Sequence, residues 1–174
     1  MNNDKHDVNS YVNGSDLERY LAFLRVGDEK LVWRESELVA KGSWDGVFNG
    51  FSDVIVILLG DDKPIGHFVT LRRDNPSHFT YMDCLGKPLP DSLRNIFEKG
   101  QSTQIQFLTR GLMSPRGNIC GKYCVAFCLA GNIDIDDFAD ILTSSRFPPD
   151  YLVNNLLRIN YTLNVLNLEN FPAP

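Results

Sequence analysis

Histidine is scarce in this chain, with three in 174 residues, and basic residues are in deficit. Seventeen lysines and arginines face 22 acids, which gives a net charge of −5 and a pI near 5.1. That balance argues against a general nucleic-acid binder, whose phosphate contacts need a basic face. No apolar run approaches the ~20 residues of a helical membrane span, so no membrane partner is expected. No basic-then-apolar signal segment opens the sequence, and secretion is not expected. Zinc-knuckle spacing is missing too. Cys120, Cys124 and Cys128 recur every four residues, which lines them along one helical face and suits a reduced, intracellular protein. No repeat or linker divides the chain, so we expect one domain over residues 1–174, with the polar, Asn-rich residues 1–14 as a loose arm.

What is present is a soluble-protein composition, 43% apolar, with enough length to bury a substantial core. Ser15 and Glu18 make a capping-box pattern ahead of Leu17, Tyr20, Leu21 and Leu24, and Gly27 ends that helix. Residues 28–50, with Trp33, Trp44 and Phe48 among glycines, read as short strands or loops. Val54 to Leu59 is continuous and β-branched, as expected of a strand buried on both faces. His67 to Arg73 and His78 to Cys84 form a hairpin about the breakers Asp74, Asn75, Pro76 and Ser77. Leu89, Leu93, Ile96 and Phe97 mark a helix that Gly100 ends, and Gln104 to Leu108 marks a further strand. Helices follow from Cys120, from Ile135 and around Leu152 to Leu157. The order predicts an α+β fold with a central mixed β-sheet flanked by helices.

The loop bearing Gly111, Pro115 and Gly117 runs into the helix that starts at Cys120, whose core residues are expected to be Val125, Ala126 and Leu129. The first amides of a helix have no intrahelical acceptor, and its dipole places partial positive charge there. A thiol at that position loses its proton readily and becomes a nucleophile. Such a cysteine needs a base, and the base needs an orienting acceptor. His6 lies in the arm and His78 beside a turn. His67, opening a buried strand just after a turn, is the better candidate, and Asp83 at the end of the returning strand can hold its ring. The bland alternatives are a core histidine, a turn acid and four buried thiols.

Three strings together carry a resemblance: Gly66-His67-Phe68-Val69, then Tyr81-Met82-Asp83-Cys84-Leu85-Gly86, then Cys120-Gly121-Lys122-Tyr123-Cys124. In this order they resemble the adenovirus-protease-like cysteine peptidases, the adenain and ubiquitin-like-protease superfamily, over roughly Ile55 to Leu129. The order is the reverse of the papain arrangement, in which the cysteine comes first. The resemblance implies that family's fold, with the nucleophile at a helix N-terminus, and a Cys120, His67, Asp83 triad. It also implies an oxyanion hole built on the backbone of Ile119 and Cys120. It implies neither cofactor nor metal. Implied substrates are proteins: viral capsid precursors cut after glycine-containing motifs or, as the alternative, ubiquitin-like proteins such as SUMO. A catalytically weakened pseudo-protease that only binds is a further alternative. The implied setting is intracellular, in host cytoplasm, nucleus or virus factory, including packaging in the virion. One departure stands out. The family's oxyanion glutamine is replaced by Met113, whose thioether donates no hydrogen bond, and Gln106 is expected to point elsewhere from its strand. The tryptophan usual after the histidine is Phe68.

Overall fold

The computed structural model describes residues 17, 21, 30–48, 53–61, 66–97, 103–114 and 118–158. The arm, the Ser15 and Glu18 capping pattern, Gly27, most of the turn before His67, Gly100, loop residues 115–117 and the tail from Asn164 lie outside the described residues. Of that first predicted helix, Leu17 and Leu21 are described. Both are buried, and the Leu21 amide donates to the Leu17 carbonyl.

Among the described residues five strands make one mixed sheet in the order β1-β2-β3-β4-β5: β1 (Val32–Arg34), β2 (Val54–Leu59), β3 (His67–Asn75), β4 (His78–Met82) and β5 (Gln104–Phe107). The β2-β3 and β3-β4 pairs are antiparallel, whereas β1 and β5 join the edges in parallel. The sheet is therefore mixed, as the sequence predicts. Residues 28–50 hold more than short strands or loops. After the three residues of β1 the chain turns directly into helix α1 (Glu35–Lys41), whose start is closed by the Arg34 amide donating to the Glu37 carboxylate at 2.9 Å. Gly42, at φ 62°, ends it by donating to the Leu38 carbonyl.

The pleat sends alternate residues of each strand to opposite faces. Ile55 and Ile57 of β2, Val69 and Leu71 of β3, and Phe79 and Tyr81 of β4 face α1 and α2 (Asp91–Phe97), and pack with Leu38, Leu93, Ile96 and Phe97. Val56, Phe68 and Met82 face the other way, onto α3 (Cys120–Leu129). Each face of the sheet thus carries its own apolar cluster, which explains why β2 reads as apolar throughout.

Helix α3 is buried all round from Cys120 to Cys128, because α4 (Ile135–Thr143) and α5 (residues 149–158) cover the side that the sheet does not. Val125 and Ala126 are core as predicted, and Leu129 is half-buried. Asp134 caps α4 by accepting from the Asp136 amide at 2.8 Å. A polar stripe runs under α3. Arg72 is buried, donates to Asp74 at 2.6 Å and to the Gly131 carbonyl at 2.7 Å, and lies 5.0 Å from the Phe127 ring centroid. A guanidinium at the carbonyl end of a helix also meets the favourable end of its dipole.

Candidate active site

Strand register fixes where the site lies. Leu59, the last residue of β2, pairs with His67, the first of β3. Thr70 pairs with Met82, the last of β4. The sequence places Asp83 at the end of the strand. It sits one residue beyond, in the turn, and so reaches the sheet end where His67 begins. The β3 side of the same end receives the start of α3, where the Phe68 amide donates to Cys120 Sγ at 3.5 Å.

These placements bring His67, Asp83 and Cys120 together. His67 Nε2 lies 2.8 Å from Asp83 Oδ1, with the carboxylate almost fully buried and the imidazole about one-fifth exposed. Asp83 Oδ1 also accepts from the Leu85 amide at 2.8 Å, which locks the carboxylate in its turn. With Nε2 taken by Asp83, Nδ1 is the ring nitrogen left for the Cys120 thiol, and each of the two side chains shifts the other's titration.

The electrostatics follow from that contact. Burial alone lowers the basicity of His67. Hydrogen bonds to Asp83 and Cys120, together with their charges, outweigh burial and raise its pKa to about 9. Burial alone raises the Cys120 thiol. The His67 hydrogen bond, the Phe68 amide, the His67 charge and the Gly121 amide overcome it and lower the thiol below its ordinary value of 9.0. Both shifts favour the thiolate and imidazolium form of the pair.

No protein-family model matches this chain, and no curated protein matches it. What the site can do is thus read from its own geometry.

The other cysteines differ sharply from Cys120. All four are free. Burial pushes the Cys124 thiol well above the ordinary range and raises Cys128 to about 12 despite the nearby Arg72 charge. Both are neutral core thiols. His78 is exposed on the hairpin, where Nδ1 contacts Ser77 and Asn75, and Gln106 points away to Asp134 at 3.1 Å. His6 lies outside the described residues.

The loop that would carry the oxyanion glutamine is held from two sides. The Leu112 and Met113 amides both donate to the Cys84 carbonyl, at 2.7 and 3.0 Å. Gly86, at φ 70°, lets the Asp83 turn pass against this loop, since a Cβ there would lie 2.5 Å from the Arg110 carbonyl carbon. On the far side the Ser114 amide donates to the Asp150 carboxylate at 3.2 Å, and Tyr123 on α3 donates its hydroxyl to the same carboxylate at 2.6 Å. Met113 turns its sulfur toward Cys84 Sγ, 3.8 Å away, and packs on the core cluster that contains Cys120. Sequence reasoning missed Cys84, Tyr123 and Asp150 as supports of the site. Tyr123 gave the only hint, lying one helical turn beyond Cys120 and so on the same side of α3.

Proposed function

We propose that this protein is a cysteine peptidase in which Cys120 attacks the substrate carbonyl, His67 moves the proton and Asp83 orients His67. The observation that carries this reading is an imidazole held at 2.8 Å by a buried carboxylate, beside a thiol at a helix start whose sulfur accepts from the amide of Phe68, the residue after His67. In the reaction the thiolate adds to the carbonyl carbon and the developing oxyanion turns to the backbone amides of Ile119 and Cys120. Collapse expels the amine, which takes its proton from the His67 imidazolium. Water, deprotonated by His67, then cleaves the thioester and frees Cys120. Asp83 holds the ring and stabilises its charge throughout.

The finer assignment is an adenovirus-protease-like peptidase that matures viral capsid precursors after glycine-containing motifs, supported by the order of the His67, Asp83 and Cys120 strings. Met113 favours a second reading, a weakened pseudo-protease that binds without cutting. Its sulfur packs against Cys84 and brings no donor to the oxyanion. Loss of one such donor costs about 10²–10³ in rate, so backbone amides still leave activity to measure.

Digestion of a glycine-containing peptide library, with Cys120→Ala as control and SUMO- and ubiquitin-vinyl sulfone probes alongside, tests the proposal. Cleavage after glycine that is lost in Cys120→Ala supports the maturation reading. Probe capture without library cleavage supports the deconjugating alternative. Neither signal from a protein whose Cys120 is reactive leaves the binding reading.

A further inference from the structure

Cys84 takes no part in the chemistry above, yet it stands beside it. One ligand atom each from His67, Asp83 and Cys84 lie within 4.8 Å of one another, and Asp83 and Cys84 are both 1% exposed. We infer that these three side chains form an inhibitory zinc site that captures the imidazole of the catalytic pair. The inhibition rests on the peptidase reading, whereas the binding does not.

The donor set fits the ion. Zinc accepts imidazole nitrogen, thiolate sulfur and carboxylate oxygen in tetrahedral geometry, and three protein ligands with one water is a common arrangement. With Zn–N near 2.0 Å and Zn–S near 2.3 Å, tetrahedral ligand atoms stand roughly 3.3–3.6 Å apart. The His67–Asp83 contact of 2.8 Å has to open by a fraction of an ångström, and Cys84 has to close in. Cys84 gives up only a weak hydrogen bond in doing so. Its present partner is the Met113 sulfur at 3.8 Å, a weak acceptor.

The proton balance explains the inhibition. Zinc bonds to Nε2, in place of the proton that this nitrogen holds toward Asp83, and to the Cys84 sulfur. Two protons leave to solvent, one from Nε2 and one from the thiol, and the ion sheds water as the three bonds form. The ring then keeps a single proton, on the nitrogen facing Cys120. Passing that proton to a leaving amine would create an imidazolate, a far poorer prospect than passing it from an imidazolium. The thiolate persists, but its acid is disabled. The ion is thus an inhibitor and not a cofactor of the reaction.

Cobalt(II) titration of the metal-free full chain tests this, because thiolate-to-cobalt charge transfer absorbs in the near ultraviolet, and zinc competition then gives affinity. We expect one cobalt with a thiolate band, retained after Cys120 has been alkylated with iodoacetamide. Cys84→Ser should lose the band and weaken zinc by more than about tenfold, the lower bound even for an outer-shell partner. Asp83→Asn, which preserves shape, should weaken zinc by a similar factor and decides the matter if Cys84→Ser fails to fold. A band that survives Cys84→Ser, a band that vanishes on Cys120 alkylation, zinc affinity unchanged in Asp83→Asn, or no cobalt bound at all would each overturn the assignment. Slow, His67-independent alkylation of Cys120 would instead sink the peptidase reading and leave the metal site standing.

Discussion

Met113→Gln sets two effects of opposite sign against each other. The Met113 amide is committed to the Cys84 carbonyl at 3.0 Å, and its sulfur lies 3.8 Å from Cys84 Sγ against the core cluster. Glutamine has similar length and keeps the backbone bond. If the new amide stays where the sulfur is, it sits beside a buried thiol with no strong partner, which costs about 1–3 kcal/mol. For a chain of this size each kcal/mol moves the melting temperature by roughly 2–4 °C, so a fall of about 2–12 °C is expected. If the amide instead swings toward Cys120, it adds an oxyanion donor and raises the rate. The observed packing favours the first outcome. Thermal unfolding and Cys120-dependent peptide turnover should be measured on the same preparation. A lower melting temperature with no gain in rate is the expected result, and a faster enzyme with an unchanged melting temperature would refute the reasoning.

Cys124→Ala should cost about 1 kcal/mol for the small cavity and leave peptide turnover intact, whereas Cys120→Ala should abolish turnover; equal losses would point to one shared role for the cysteine face. Asp150→Ala removes the acceptor of both the Ser114 amide and the buried Tyr123 hydroxyl, and should cost about 1–3 kcal/mol, less whatever Tyr123 regains at the Leu112 carbonyl 3.3 Å away. Hydrogen exchange should then show faster exchange at Ser114; unchanged protection would mean that the loop is held by other contacts. The raised His67 contributes stability that is full below pH 6.5 and lost as pH rises through about 9, while the lowered Cys120 contributes stability present above pH 9 and lost as pH falls through its folded value. Between about 9 and the higher of 6.5 and the folded Cys120 value the two slopes cancel, because the ion pair holds as many protons as the neutral pair. The stability difference between wild type and His67→Ala, from urea midpoints, should be flat across that window and shrink below it; a steady slide within it would mean that only one partner is shifted.

Local pattern carried much of the fold. Val54 to Leu59 coincides with β2, and the helix starts at Cys120 and Ile135 agree with the structure, because each is set by a continuous apolar run or a breaker-to-apolar switch. The hairpin was legible from its turn residues, although β3 runs on to Asn75 through an irregularity between Arg73 and Asn75. The segment around β1 and α1 was not. A three-residue strand shows no periodicity, and its place in the sheet comes from parallel pairing with the distant β2. Arg72 is buried on its strand, held by Asp74 two residues on and by the carbonyl of Gly131, a partner far along the chain that no local pattern announces. At the site, His67, Asp83 and Cys120 were visible as residue types at element ends. Cys84, Tyr123 and Asp150 were not, since nothing local reveals a contact that folding across α3 and α5 creates.

The thiolate and imidazolium pair is the centre of the account, and the pH dependence of Cys120 alkylation by iodoacetamide, read by mass spectrometry in wild type and His67→Ala, tests it most directly. An ordinary thiol of pKa 9.0 is about 1% ionised at pH 7, so with its thiol lowered the wild type should react faster there than the variant. Its rate should level off below pH 9, whereas His67→Ala should climb through that region like a free thiol. A wild-type profile that itself climbs through pH 9, or one that His67→Ala leaves unchanged, would contradict the account.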